Sequence, residues 1–201
     1  MTSTQIRKIL LPKSGVLVFY REQSPIEPAK VLLLLHGFPA SSHQYRNLIP
    51  LLASKHRVIA PDLPGFGFTE APSTFKHTFE TLTDTVAEFL NALSISNISF
   101  SVFEYGAPVG FRLELSRPES IEAIISQNGN AYTEGFGDVW GSFKEFWVSQ
   151  NRSEDRSELA EAILNLQITK FQYENGTPRI KLITPAAYYL DYALLKRPSN
   201  K

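Results

Sequence analysis

The sequence predicts an α/β fold with a mostly parallel sheet and helices on both faces, and three observations carry that prediction. The 201 residues are 43% hydrophobic and include no cysteine, and a chain of this size buries about 70% of its unfolded surface in one core without disulfides. Val31-Leu32-Leu33-Leu34-Leu35 is an apolar run without alternation, the pattern of a strand covered on both faces. Around it, strand-like and helix-like segments alternate up to residue 127, as βαβ units do.

Taken in order, residues 6–11 and 16–22 are strand candidates split by the turn Pro12-Lys13-Ser14-Gly15, an antiparallel start. Residues 25–29 form a surface connection to the Val31–Leu35 strand. Tyr45, Leu48, Ile49 and Leu52 fall at helical spacing and predict a helix over 44–53. A short strand at 57–60 stops at Pro61. Phe79, Leu82, Val86, Phe89, Leu90 and Leu93 share one face of a helix over 78–93. Strands are predicted at Ile98–Phe103 and Ile121–Gln127, with a helix over 107–117 that ends before Pro118.

The composition changes near residue 128. Both tryptophans lie beyond it, no strand alternation follows, and helices are predicted at 158–166 and 186–195, with Pro185 suited to a first turn. Phe136, Trp140, Phe143 and Trp147 recur at i, i+4, i+7 and i+11, one face of a helix that either packs on the sheet or lines a pocket. The chain therefore divides into a βαβ core, 1–127, and a helical, aromatic-rich segment, 128–201, whose last residues, 196–201, are expected to be a solvated tail.

Twenty Lys and Arg balance twenty Asp and Glu, so no basic field exists to hold nucleic acid or an anionic membrane. No apolar run approaches the about twenty residues of a spanning helix, and the first residues carry no secretory stretch, so a cytoplasmic location is expected. The sequons beginning at Asn97, Asn151 and Asn175 matter only in a secreted chain. His43, His56 and His77 lack the spacing of metal ligands; no metal and no cofactor are expected.

Ligands of parallel sheets bind beyond the carboxyl ends of the strands, and three loops there carry the chemistry. They are His36-Gly37-Phe38-Pro39, Pro61-Asp62-Leu63-Pro64-Gly65-Phe66-Gly67, and Glu104-Tyr105-Gly106-Ala107. The last turns a strand directly into a helix, an elbow that lifts one side chain, here Glu104, into the cleft. The Tyr105 N–H at the helix start and the Phe38 N–H of the first loop would form a two-donor cradle for negative charge. His36 either shapes that cradle or is simply a buried, hydrogen-bonded ring. Asp62 is expected to hydrogen-bond its own turn.

These three loops, in this order at these strand ends, resemble the α/β-hydrolase fold in its branch of epoxide hydrolases and haloalkane dehalogenases, over residues 15–130, and the helical remainder is similar to that branch's cap. The resemblance implies hydrolysis of an epoxide or alkyl halide through an alkyl-enzyme ester on a carboxylate nucleophile at position 104, normally Asp but here Glu. It implies a small apolar substrate, with His36, Trp140, Tyr188 and Tyr192 as candidate binding residues. Phe38 favours the epoxide side, because dehalogenases often carry Asn after His-Gly. The branch's general-base histidine and last core strands lie beyond the cap, in a segment absent here. All four histidines precede Glu104, and Asn128 occupies the position of an alternative catalytic acid. The expectation is thus a truncated chain with impaired catalysis. The alternatives are a non-catalytic binder of small apolar ligands, or a truncated product without function; the oligomeric state is left open.

Overall fold

The computed structural model of the chain describes residues 3–137, 140–148 and 153–200. Met1 and Thr2, Asn151 of the middle sequon and Lys201 of the tail lie outside them. Six strands form one mixed sheet: β1 (Gln5–Leu10), β2 (Leu17–Gln23), β3 (Val31–Leu35), β4 (Arg57–Pro61), β5 (Ile98–Phe103) and β6 (Ile121–Gln127). Their spatial order is β1-β2-β4-β3-β5-β6. β2 pairs antiparallel with both β1 and β4, while β3 runs parallel to β4 and β5, and β5 parallel to β6. The parallel strands run from β4 to the edge strand β6, and the antiparallel hairpin guards the other edge.

The unalternating run of β3 is explained by what covers it. Leu33 and Leu35 join a core with Leu82, Val86, Phe89 and Leu90 of α2 (Phe79–Ala92) and Val109 and Leu113 of α3 (Gly106–Ser116). Leu32 and Leu34 face the other way, against Tyr45, Ile49 and Ala53 around α1 (Leu48–Leu52). Each leucine removed from water contributes about 2 kcal/mol. The predicted helix over 78–93 is α2 with its caps: Thr78 and Thr81 form a reciprocal capping box, and Leu93 is the C-cap.

Two departures from the sequence expectation have local causes. The helix expected over 44–53 is a 3-10 turn, Ser42–Tyr45, followed by α1 alone. Pro50 has no N–H to offer the carbonyl four residues back, so a continuous helix across it loses a bond and the α-helix begins where Pro50 falls in its first turn. The single helix expected at 158–166 is instead α5 (Ser153–Ile163) and α6 (Leu166–Glu174), divided at Asn165. The Asn165 amide donates to the carbonyls of Glu161 and Ala162, closing α5, while its oxygen accepts from Ile168 N–H, opening α6.

Beyond the sheet, α4 (Gly141–Val148) carries Phe143 and Trp147, which cluster with Trp140 and with Phe136 from the preceding loop, so the aromatic stripe is a packed cluster that α4 carries only partially. α7 (Pro185–Leu195) starts with Pro185 behind the N-cap Thr184. The tail beyond it is anchored rather than solvated: Arg197 Nη1 and Asn200 Nδ2 both donate to the Gly67 carbonyl, at 2.7 and 3.1 Å. β6 is an edge of the sheet, and its Ile124 and Ile125, on opposite faces, are 43% and 55% exposed. Among the described residues no helix is long and apolar enough to cross a membrane.

Candidate active site

The sheet brings the ends of β3, β4 and β5 to one rim. β5 passes into α3 through Glu104, whose φ of +44° places a non-glycine residue in the left-handed region. Such an elbow requires small neighbours. A Cβ on Gly106 would lie 2.5 Å from the Leu35 carbonyl oxygen, so only glycine lets the start of α3 sit against the end of β3. Gly37 plays the same role from the other side, since a Cβ there would lie 2.9 Å from both Glu104 Cβ and Oε2.

This contact of two loops creates the site. Glu104 Oε2 accepts the Phe38 N–H at 2.8 Å and the Tyr105 N–H at 2.5 Å. Oε1 accepts no hydrogen bond from the described residues. The carboxylate is half-buried, and desolvation pushes its pKa above the ordinary value although the Phe38 and Tyr105 N–H groups pull it down. One oxygen is therefore held by two backbone N–H groups at a helix N-terminus, while the other accepts no hydrogen bond from the described residues.

His36 stands directly behind the cradle, fully buried. Its Nε2 accepts the Leu63 N–H at 3.0 Å, which assigns the proton to Nδ1 and makes Nδ1 a donor to the Gly37 carbonyl, also at 3.0 Å. The Gly37 carbonyl and the Phe38 N–H belong to one peptide plane and point opposite ways. By holding the first, His36 aims the second at Glu104. Burial lowers the His36 pKa against the pull of Asp62, in keeping with a neutral ring. Asp62 holds the neighbouring turn, its two oxygens accepting from Ser42 N–H at 2.7 Å and Phe68 N–H at 2.8 Å.

Phe38, Phe66, Tyr105 and Phe79 form a chain of touching rings beside the elbow, with centroids 6.4, 5.3 and 4.7 Å apart. Phe38, Tyr105 and Glu104 are thus brought together, with His36 behind them. No hydrogen bond or ring contact among the described residues joins Trp140, Tyr188 or Tyr192 to this group. Trp140 sits in the aromatic cluster around α4, Tyr188 is buried against Tyr173 and Tyr189, and Tyr192 lies under the Lys196 ammonium. Asn128 follows β6 with a φ of +52°. Sequence reasoning missed Gln44, whose oxygen accepts the Gly37 N–H at 3.4 Å, and Asp191, a buried carboxylate whose signal was its isolation in the apolar run of α7.

Residues 30–174 match the α/β hydrolase fold family. The chain is 46% identical over 187 residues to the uncharacterized hydrolase YNR064C of Saccharomyces cerevisiae, a match covering 92% of this chain and 64% of that protein. It is 31% identical over 189 residues to a haloalkane dehalogenase of Psychrobacter cryohalolentis, covering 86% of this chain and 62% of that one. The chain thus spans less than two thirds of the length of these relatives. Among solved structures it is similar to epoxide hydrolase VrEH1 from Vigna radiata, with TM-score 0.59, 30% identity, and coverage of 66% of this chain and 40% of that one. The fold is shared more widely with Cfl2 from Burkholderia cenocepacia, with TM-score 0.82 at 20% identity, covering 99% and 68% of the two chains.

Proposed function

Because the chain belongs to the α/β-hydrolase fold family, with its similarities in the epoxide hydrolase and haloalkane dehalogenase branch, we propose that Glu104 is a carboxylate nucleophile acting at a saturated carbon of a small apolar epoxide or alkyl halide. One observation carries this reading: Oε2 is bound by the Phe38 and Tyr105 N–H groups while Oε1 accepts no hydrogen bond from the described residues.

The two oxygens then have separate roles. Oε1 attacks the carbon in line, and the carbon–halogen bond breaks with its electron pair leaving on halide. For an epoxide, the ring C–O bond breaks and the released oxygen takes a proton from water. The product is an ester in which Oε2 is the carbonyl oxygen, still in the cradle. Attack of water on that carbonyl carbon places negative charge on Oε2, where the two N–H donors stabilise it. Collapse releases the alcohol and restores the carboxylate.

His36 is committed to the backbone on both nitrogens and does not act as base. Among the described residues no histidine is in hydrogen-bond contact with Glu104, and the impairment proposed is in hydrolysis of the ester rather than in its formation. Residues 128–201 act as the cap, and Trp140, Tyr188 and Tyr192 are its candidate substrate contacts. The chain needs no cofactor and works in the cytoplasm. The ring chain from Phe38 to Phe79 supports an apolar substrate.

Intact-mass spectrometry after incubation with small epoxides and haloalkanes tests the proposal. A stoichiometric adduct mapped to Glu104, with matching halide release from haloalkanes, is the expected result. An adduct of equal yield in Glu104→Gln, or none with any compound of the panel, overturns it.

A further inference from the structure

A second polar cluster lies where α6 and α7 meet the core loops, and the proposed reaction does not use it. Asp191 of α7 is 1% exposed. Its Oδ2 accepts a hydrogen bond from the Tyr173 hydroxyl of α6, and its Oδ1 has no partner among the described residues. From the core, Arg46 and Asp62 face it with opposite effect. No salt bridge joins Arg46 to Asp191 among the described residues. The Arg46 guanidinium is turned instead to the His43 carbonyl at 3.0 Å and the Thr184 hydroxyl at 3.4 Å. Ser42 Oγ, His43 Nδ1 and Arg21 Nε are likewise buried and without a hydrogen-bond partner among the described residues. His43 and Arg21 face Arg46 and Asp62 in turn.

A buried carboxylate with one empty oxygen and no direct cation is costly when charged and much less so when protonated. We infer that Asp191 is an acid-operated latch between the helical segment and the core, taking up a proton to tighten the docking of α6 and α7 and losing it to loosen them. The latch has a route to the cradle. Arg46 and Ser42 belong to the loop that begins at Gly37 and Phe38, and Gln44 of that loop holds the Gly37 N–H. The latch depends on the seam alone and stands whether or not Glu104 is a nucleophile.

Its direction follows from linkage. Burial first, and Asp62 after it, raise the Asp191 pKa to about 6, against Tyr173 and Arg46, which lower it. A carboxyl raised in the folded state favours folding when protonated, so its contribution is present in acid and is lost as pH rises to about 6. Lowering pH from 7.5 to 5 multiplies the folded-to-unfolded ratio by about tenfold through this group. His36 and His43, whose pKa values are pushed down, act in the opposite direction. The measurement is therefore a difference between variants.

Urea unfolding of wild type and Asp191→Asn is compared at pH 7.5 and pH 5, with hydrogen exchange, corrected for intrinsic rates, to locate the change. The expected result is that Asp191→Asn gains on wild type at pH 7.5 by about tenfold relative to pH 5, with the pH-dependent protection confined to α6, α7 and the 42–46 loop. A difference between the two proteins that is the same at both pH values overturns the latch, as does a pH-dependent change spread evenly over the sheet. Should Asp191→Asn not fold, carbon-13 titration of the Asp191 carboxyl in the wild-type chain decides: a midpoint near 6 supports the latch, and one in the ordinary aspartate range near 4 refutes it.

Discussion

Glu104 and Asp191 are both carboxylates pushed up by burial, and they differ in what receives the negative charge. At the elbow, two backbone N–H groups meet one oxygen of Glu104 and leave the other open. At the seam, a single phenol meets Asp191, the nearby arginine is engaged elsewhere, and the second oxygen is sealed without a partner. In the proposed reaction the first arrangement keeps an anion available for chemistry, while the second makes an anion a burden on packing. Desolvation alone does not define a reactive group. The direction of the surrounding dipoles does.

Several variants would break or sharpen this contrast. The largest effect is expected from Glu104→Gln, which keeps the shape of the side chain and removes the charge: ester formation should fall to background by mass spectrometry while the unfolding midpoint barely moves. Glu104→Asp tests whether the cradle is set for the longer side chain. Withdrawing the carboxylate by about 1 Å should cost on the order of a hundredfold in single-turnover rate. In wild type, that rate should climb with pH and reach half its plateau above the usual glutamate value of 4.5, because the ionised form is the nucleophile and its pKa is raised.

His36→Leu should act on the elbow and not on the seam. It leaves the Leu63 N–H and the Gly37 carbonyl buried without partners, for a loss of about 3 kcal/mol in urea unfolding, with ester formation slowed in whatever fraction stays folded. At the seam, Tyr173→Phe removes a bond that favours the charged Asp191. Stability should drop by about 1 kcal/mol, and the Asp191 midpoint seen by carbon-13 titration should move upward. Thr184→Ala removes only the long contact to Arg46 and should cost less than about 0.5 kcal/mol in the same unfolding measurement.

Much of the core was legible because its elements are locally encoded. β3, β5 and β6 begin and end where the apolar pattern does, and α2 lies between the residues that cap it. The elbow was legible for a related reason: a strand, one polar residue, and then small residues leading a helix admit few other backbone paths. The helical segment was read less well. α6 was missed because Leu166–Glu174 has no strong apolar stripe, and its start depends on Asn165 serving two helices at once. The tail looked solvated because the acceptor of Arg197 and Asn200 is the Gly67 carbonyl, some 130 positions away in sequence.

The sequence by itself determined the order of strands and helices through β6, the choice of Glu104 for the elbow and the identity of its two N–H partners, since these follow from short-range patterning and from the rule that parallel strands end at one rim. Only the tertiary structure decided which Glu104 oxygen is held by the two N–H groups, that both nitrogens of His36 bond to backbone groups behind the Phe38 peptide, and that Asp191 is buried against Tyr173 with one oxygen unmatched among the described residues. Those are distances and burial between residues far apart in the chain, and they exist only once packing has brought the loops together.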